Sequence, residues 1–108
     1  MADRLRQLNQ DVIVVCAGWK GKFCLEDTLF GGALAAQLID AFDTTSSDST
    51  LAALDLWHAA RPDVAGYLLK SAHVRRLNSL EAHKDMEFCV RENEYNVVPV
   101  FREGRIEL

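Results

Sequence analysis

The chain has 108 residues, 49% of them hydrophobic and 26% charged, and its formal net charge is −4. This profile indicates one globular domain over residues 1–108 and argues against a nucleic-acid binder, which would carry a basic surplus. The apolar runs fall short of the roughly 20 residues that a membrane helix needs, so we expect neither nucleic acid nor a membrane as a partner. Three irregularly spaced cysteines, and no signal-peptide core in residues 1–10, favour a cytoplasmic protein.

Residues 12–16 (VIVVC) are apolar, mostly β-branched and uncharged. They predict a buried strand, because both faces of its pleat would be apolar. Small residues follow at Ala17 and Gly18, and then a loop with two lysines runs to residue 25. In open α/β sheets, ligands bind beyond the carboxyl ends of strands, so the loop between Cys16 and Thr28 is the first candidate for a functional site.

Apolar periodicity predicts several helices, over residues 2–9, 26–42, 50–60, 63–69, 71–80 and 84–92. The helix over 26–42 is apolar on most sides, so we expect other elements to cover most of it. Its Gly31-Gly32 pair costs roughly 1 kcal/mol per residue relative to alanine, which suggests a close approach of neighbouring backbone or, alternatively, a kink. Ser49 or Thr50 is expected to cap the third helix.

The C-terminal segment predicts a β-hairpin at about residues 95–107. Residues 95–101 form its first strand, Pro99 indicates an edge or a strand end, and Glu103-Gly104 forms the turn. The predicted class is therefore α/β, with a small mixed sheet covered by several helices. So few strands make an incomplete sheet, and we expect half of a larger α/β fold, completed by a partner subunit in a homo-oligomer or by a longer chain.

Glu26 and Asp27 begin the longest helix. Acidic residues in a first turn are favoured by the helix dipole by about 0.3–1 kcal/mol, which explains the pair without any catalysis. The alternative is a magnesium site, because Mg²⁺ prefers carboxylate oxygens and often uses one or two of them together with a substrate phosphate.

Cys16 and Lys22 lie in or beside the candidate loop. A cysteine-dependent phosphatase would have an arginine six positions after its nucleophile, to bind phosphate with two parallel N–H groups. That position holds Lys22, which cannot form the planar fork, so Cys16 is interpreted as a small buried hydrophobic residue. Lys22 could offer a compact charge to a phosphate dianion, although loop lysines are usually just solvated.

The third group of candidate site residues consists of Ser71, His73 and Arg75. An arginine suits a phosphate or sulfonate, and a histidine could protonate a leaving alkoxide near neutral pH. The structural alternative is that Ser71 caps a helix while the basic residues face solvent. The spacing leaves both interpretations open.

Three segments in order, VIVVCAGWKGKFCLEDTLFGGALAAQL, SAHVRRLNSL and KDMEFCVRENEYNVVPVFREGRI, resemble the carboxy-terminal half of the 2-phosphosulfolactate phosphatase family. The shared features are Cys-Ala-Gly after a strand, Glu-Asp before a helix of small residues, a Ser-x-His-x-Arg segment, and an Asp-x-x-x-Cys helix leading to Val-Pro. The resemblance implies a magnesium-dependent phosphatase of coenzyme M biosynthesis, which converts 2-phospho-3-sulfolactate to 3-sulfolactate and phosphate.

The resemblance also implies roles for individual residues. Catalysis would fall to Glu26, Asp27 and His73, with the two carboxylates holding Mg²⁺, and an anionic phosphate ester would be bound by Cys16, Gly18, Lys22, Ser71 and Arg75. Val74 departs from the family's glycine, which could alter the local loop, and the family's amino-terminal motifs are not found in this sequence. The alternative function is a non-catalytic α/β fragment or paralogue that acts as a packing or dimerisation module.

Overall fold

The structure, a computed structural model, describes residues 1–44, 46–77 and 80–108, and for residues 80–83 it describes the backbone alone. Six helices and two strands are formed in these ranges: α1 (Ala2–Leu8), α2 (Leu25–Leu38), α3 (Asp48–Ala60), α4 (Val64–Leu68), α5 (Ala72–Leu77), α6 (Leu80–Cys89), β1 (Val100–Arg102) and β2 (Arg105–Glu107). The predicted mixed α/β class is confirmed. The described helices follow the predicted ones closely, because each is marked by local apolar periodicity.

Helix α2 is the element around which the others pack. Its buried leucines belong to two apolar clusters, which form the described core. The first cluster consists of Ala2, Leu34 and Leu38, with Leu5 and Phe42 packed against it. The second consists of Leu29, Ala60 and Leu68, and the partly buried residues packed against it are Leu25, Leu56, Val64, Tyr67, Val74, Met86 and Val90. The expectation that α2 is covered on most sides is wrong for Phe30, which remains exposed. The described part of the chain supplies too few elements to surround this helix.

Gly32 brings α2 into close contact with α3. A Cβ atom at Gly32 would lie 2.7 Å from the carbonyl carbon of Ala53, closer still to that residue's oxygen, and 2.9 Å from Cβ of Trp57. Real Cβ atoms essentially never come this close to other heavy atoms. The predicted close approach of backbone at the Gly31-Gly32 pair is therefore confirmed at Gly32, and the helical conformation continues through it.

The buried strand predicted at residues 12–16 is not formed. Within the described chain these residues pair with no neighbouring strand, and their backbone groups take part in no backbone hydrogen bond. Ile13 is 87% exposed, Val15 is 85% exposed, and Cys16 is exposed as well, so its predicted burial is also wrong. A strand depends on hydrogen bonds to a second strand, and residues 12–16 have no such partner among the described residues.

Helix ends differ from the predictions by a few residues. The N-cap of α3 is Ser47, so the predicted cap at Ser49 or Thr50 is wrong. Asp63 caps α4, and its Oδ1 accepts a hydrogen bond of 2.9 Å from the amide of Gly66. Helix α5 lies within the predicted 71–80 helix, of which residues 78 and 79 lie outside the described residues.

The predicted C-terminal hairpin is confirmed in a shorter form. Strand β1 pairs with β2 in antiparallel register, with Phe101 opposite Ile106, and Pro99 lies immediately before β1. Glu103 and Gly104, both with positive φ, form the predicted turn. The described sheet therefore holds two strands and is antiparallel instead of mixed. None of the helices in the described ranges is long and apolar enough to cross a membrane.

Candidate functional site

The loop before α2 is organised by a tight two-residue turn. The backbone amides of Trp19 and Lys22 each donate to the other residue's carbonyl at 3.0 Å, while Lys20 and Gly21 have φ values of 51° and 72°. This is the geometry of a type I′ turn, which needs positive φ at both central positions. The turn fixes the course of the loop between residues 12–16 and the start of α2.

Gly18 joins this turn to the helix. Its φ is +66°, which disfavours any residue with a side chain, and a Cβ atom there would also lie only 2.7 Å from the carbonyl oxygen of Lys22. The amide of Gly18 donates a hydrogen bond of 2.6 Å to Oδ2 of Asp27. Asp27 therefore holds the loop against the first turn of α2, and a backbone donor to a carboxylate is a strong hydrogen bond.

Glu26, the other carboxylate of this turn, faces α5. Its Oε1 lies 3.4 Å from Nδ1 of His73, and the two side chains are 30% and 41% exposed. Ser71 positions His73, because its buried hydroxyl accepts a hydrogen bond of 3.1 Å from the amide of Val74 and so begins α5. The structure thus brings together Glu26 and His73, which are 47 positions apart in the sequence.

Val74, where the resembling family has glycine, is a helical residue of α5 and packs partly buried against the cluster of Leu29, Ala60 and Leu68. Its backbone is helical, so no glycine conformation is required at this position. The valine side chain therefore serves to pack α5 beside α2.

Arg76 is the guanidinium that faces the loop. Its Cζ lies 5.3 Å from the ring centroid of Trp19, within the range of a cation–π contact, and Nζ of Lys20 lies 5.7 Å from the same ring. Arg75 is exposed, and its side chain contacts no hydrogen-bond or ion-pair partner among the described residues. Arg76 was not predicted as a site residue, although helical spacing could have found it, because residues three apart share one face and His73 is three residues earlier.

The pKa of the Cys24 thiol depends on the charged side chains at the start of α2. Partial burial, followed by the negative charges of Glu26 and Asp27, raises the pKa of its thiol, and the nearby Arg76 opposes this effect. The start of α2 is therefore locally negative and is balanced by one guanidinium.

Six of the eight predicted site residues line one of two open grooves beside α2, and Asp27 and Arg75 line neither. Cys16, Gly18 and Lys22 line the larger groove, of about 1120 Å³, together with residues of the loop before α3. Glu26, Ser71 and His73 line the smaller one, of about 640 Å³. Asp27 lies at the start of the same helix and, through its hydrogen bond to Gly18, connects the two sets.

The family model described as 2-phosphosulpholactate phosphatase matches residues 1–104. The chain belongs to this family. The match covers the loop at Gly18, both carboxylates and α5, so each part of the candidate site lies inside a 2-phosphosulpholactate phosphatase region.

Curated relatives agree with the assignment to this phosphatase family. A 2-phosphosulfolactate phosphatase from Methanothermobacter thermautotrophicus is 36% identical over 108 residues, which are 100% of this chain and 46% of the relative. Probable 2-phosphosulfolactate phosphatases from Cyanothece sp. and Synechococcus sp. are 34% and 37% identical, covering 87% and 82% of this chain and 41% and 38% of the relatives. The chain therefore spans less than half the length of these curated relatives. No solved structure matched the chain.

The donor atoms of this phosphatase-family site suit a hard divalent cation only in part. Among the described residues, no group of three histidine, cysteine or acidic side chains is placed to hold a metal ion. Glu26 and Asp27 offer two carboxylates, and one oxygen of Asp27 already accepts from Gly18. Two carboxylates are sufficient for Mg²⁺, which commonly keeps several water ligands and takes others from a substrate phosphate.

Proposed function

We propose that this chain contributes to magnesium-dependent hydrolysis of a small phosphate monoester, as part of a longer polypeptide or an assembly. The proposed reaction is that of coenzyme M biosynthesis, in which 2-phospho-3-sulfolactate and water give 3-sulfolactate and phosphate. Family membership and the names of the curated relatives support the reaction. The three free cysteines suit a reducing compartment, so we also propose a cytoplasmic location.

The observation that carries this proposal is the pairing of Glu26 with His73 next to the Asp27–Gly18 hydrogen bond. Because Nδ1 of His73 faces the carboxylate of Glu26, Nε2 is the ring nitrogen left to exchange a proton with substrate. The separation of 3.4 Å is long for a hydrogen bond, but catalytic contacts often shorten when substrate binds.

In the proposed reaction, an oxygen of water forms a bond to phosphorus while the bond between phosphorus and the ester oxygen breaks. His73 donates its proton to the leaving alkoxide, so that 3-sulfolactate departs as the alcohol. One proton of the attacking water is released to solvent as phosphate forms, and His73 regains a proton from solvent, so the protons balance. We propose that Arg76, whose guanidinium lies over the Trp19 ring, binds the phosphate or the sulfonate through paired N–H donors, and Arg75 stays a prediction for the same role. Mg²⁺, when bound to carboxylate oxygens of Glu26 and Asp27, would neutralise charge on the phosphate.

The test is phosphate release from 2-phospho-3-sulfolactate, measured with Mg²⁺ and with EDTA. We expect activity with Mg²⁺ that EDTA abolishes, and a loss of about 100-fold or more in His73→Gln, the size typical of general acid catalysis. Asp55→Asn is the matched control, since Asp55 is exposed on α3 outside both grooves. Full activity in His73→Gln would contradict the assigned role.

A second candidate function is a non-catalytic module for packing or dimerisation. It is favoured by the exposed apolar side chains of residues 13–15 and by the division of the site residues between two grooves. If the chain is such a module, it should release no phosphate from 2-phospho-3-sulfolactate at any Mg²⁺ concentration. It also predicts that the combined Glu26→Gln and Asp27→Asn variant has the same monomer–dimer equilibrium as the parent chain, measured by sedimentation.

A further inference from the structure

Residues 12–16 form an irregular apolar segment whose backbone hydrogen-bonding groups are unpaired in the described chain. No backbone hydrogen bond or strand pairing involves these residues. Ile13, Val14 and Val15 are exposed, and the pattern is apolar on both faces of a pleat. Natural edge strands usually carry a charge, a proline or a bulge that prevents further pairing, and residues 12–16 contain neither a charge nor a proline. The composition is that of an interior strand.

The segment is held beside α2 and above an open groove. Cγ1 of Val14 would lie 3.7 Å from a Cβ atom at Gly31, an ordinary contact distance, so this side chain rests on the helix. The larger groove runs along the segment and is lined by its Val12, Ile13 and Val14 together with apolar residues of α2. A helix packed against a row of β-branched residues is typical of an α/β sheet layer, although residues 12–16 form no strand in the described chain.

The same groove contains a buried polar atom without a partner. Thr44 is 8% exposed, and its Oγ1 makes no hydrogen bond within the described structure. Buried hydroxyl groups are normally satisfied, because leaving one unpaired costs about 1–3 kcal/mol. Thr44 lines the groove beside residues 12–16, and the part of the chain that the structure describes leaves its hydroxyl unsatisfied.

The relatives indicate which polypeptide could supply neighbouring strands for residues 12–16. The whole of this chain matches 46% of the Methanothermobacter relative, so more than half of that relative has no counterpart in these 108 residues. We propose that residues 12–16 become an interior strand of a sheet whose neighbouring strands come from a polypeptide equivalent to that unmatched part. This inference rests on family membership and on the unpaired segment, and it does not require the proposed phosphatase activity.

The experiment is co-expression of the full 108-residue chain with the unmatched part of the Methanothermobacter relative, followed by tag purification and hydrogen–deuterium exchange. We expect a one-to-one complex in which the amides of residues 12–16 exchange about 100-fold more slowly than in the chain alone, because strand hydrogen bonds protect amides. The combined variant Ile13→Lys and Val15→Lys should lose the complex. Both side chains are exposed, so the helical circular dichroism of the variant alone should be unchanged.

Leu69→Lys is the matched control. Leu69 is 52% exposed and lines neither groove, so the same apolar-to-lysine change there should leave the complex intact. Failure to co-purify, or a complex in which residues 12–16 exchange as fast as before, would overturn the inference. It is also overturned if the chain alone forms a dimer that the Ile13→Lys and Val15→Lys variant abolishes, since the occupant would then be a second copy.

The same preparations separate this inference from the proposed function. A protected complex that releases no phosphate supports the docking of the second polypeptide and counts against the reaction. Phosphate release by the chain alone, without a complex, supports the reaction and counts against the docking.

Discussion

Replacing Gly32 by alanine should weaken the packing of α2 on α3. The added methyl group would lie 2.7 Å from the carbonyl carbon of Ala53 and 2.9 Å from Cβ of Trp57, where ordinary contacts begin at 3.4 Å. The obstruction is backbone, which cannot rotate away as the end of a flexible side chain can. The two helices must therefore move apart by about half an ångström or more, and this loosens close-packed contacts on both sides.

The expected loss follows from two opposing effects. Alanine in place of glycine favours a helix interior by about 1 kcal/mol, while overpacking a tight contact typically costs about 1–3 kcal/mol, occasionally more. We expect Gly32→Ala to lower the free energy of unfolding by about 1 kcal/mol, and by up to about 2 kcal/mol if the helices cannot separate. Gly31→Ala is the adjacent control, because its Cβ atom would lie 3.7 Å from Val14 and so fit without displacement. It should raise the free energy of unfolding by up to about 1 kcal/mol.

The assay is urea unfolding followed by circular dichroism at a helical wavelength, with thermal unfolding as a second measurement. The two variants should differ by about 2 kcal/mol, which in a domain of this size corresponds to a difference of about 10 °C in Tm. If Gly32→Ala proves as stable as Gly31→Ala, the close approach of α2 and α3 at this residue is wrong. If the dependence of the unfolding free energy on urea concentration is the same in both variants, the substitutions changed stability and not the compactness of the folded or unfolded state.

Three further outcomes are expected. Asp63→Ala should lower the free energy of unfolding by about 0.5–2 kcal/mol, because it removes the side chain that caps α4, as urea unfolding would show. Cys24 should be alkylated more slowly than the exposed Cys16 at mildly alkaline pH, because its raised pKa leaves less thiolate. Glu26→Gln should lower the pKa of Cys24 and so speed its alkylation, which peptide mass spectrometry would measure. Gly18→Ala should release the loop and increase its proteolysis, since the left-handed φ and the close carbonyl exclude a side chain.

Each of these outcomes has a control. Asp63→Asn keeps a capping oxygen and should retain most of the stability that the alanine variant loses. The alkylation rate of Cys16 should not respond to Glu26→Gln, and an equal response of both cysteines would contradict a local electrostatic origin. Gly21→Ala is the comparison for the loop, because its Cβ atom would contact nothing within 4 Å, so a larger effect there than at Gly18 would refute the steric part of the reasoning.

The sequence predicted the helices well, because their signal is local. Apolar spacing located the centres of α2, α3 and α4, and Gly104 after a glutamate marked the turn of the hairpin. The tight contact at Gly32 was also predictable, since a glycine in the middle of a helix is unfavourable unless something requires it. Periodicity of this kind needs no knowledge of distant residues.

The candidate site was predictable only as a list of residues. Sequence order indicated the loop before α2, its two carboxylates and the segment around His73, yet it could not show that Glu26 faces His73 while Asp27 bonds to Gly18. Those contacts depend on how α5 packs beside α2 through Val74 and the cluster around Leu29. The choice of Arg76 over Arg75 as the residue facing the loop follows from the same packing.

The amino-acid sequence alone determined where the chain is helical, where it turns and which residue types lie in the loop before α2, because these depend on neighbours within one or two helical turns. Tertiary structure decided which side chains meet and whether residues 12–16 pair as a strand. A helix satisfies its own backbone hydrogen bonds, whereas a strand depends on partners elsewhere, and the described chain supplies none for this segment.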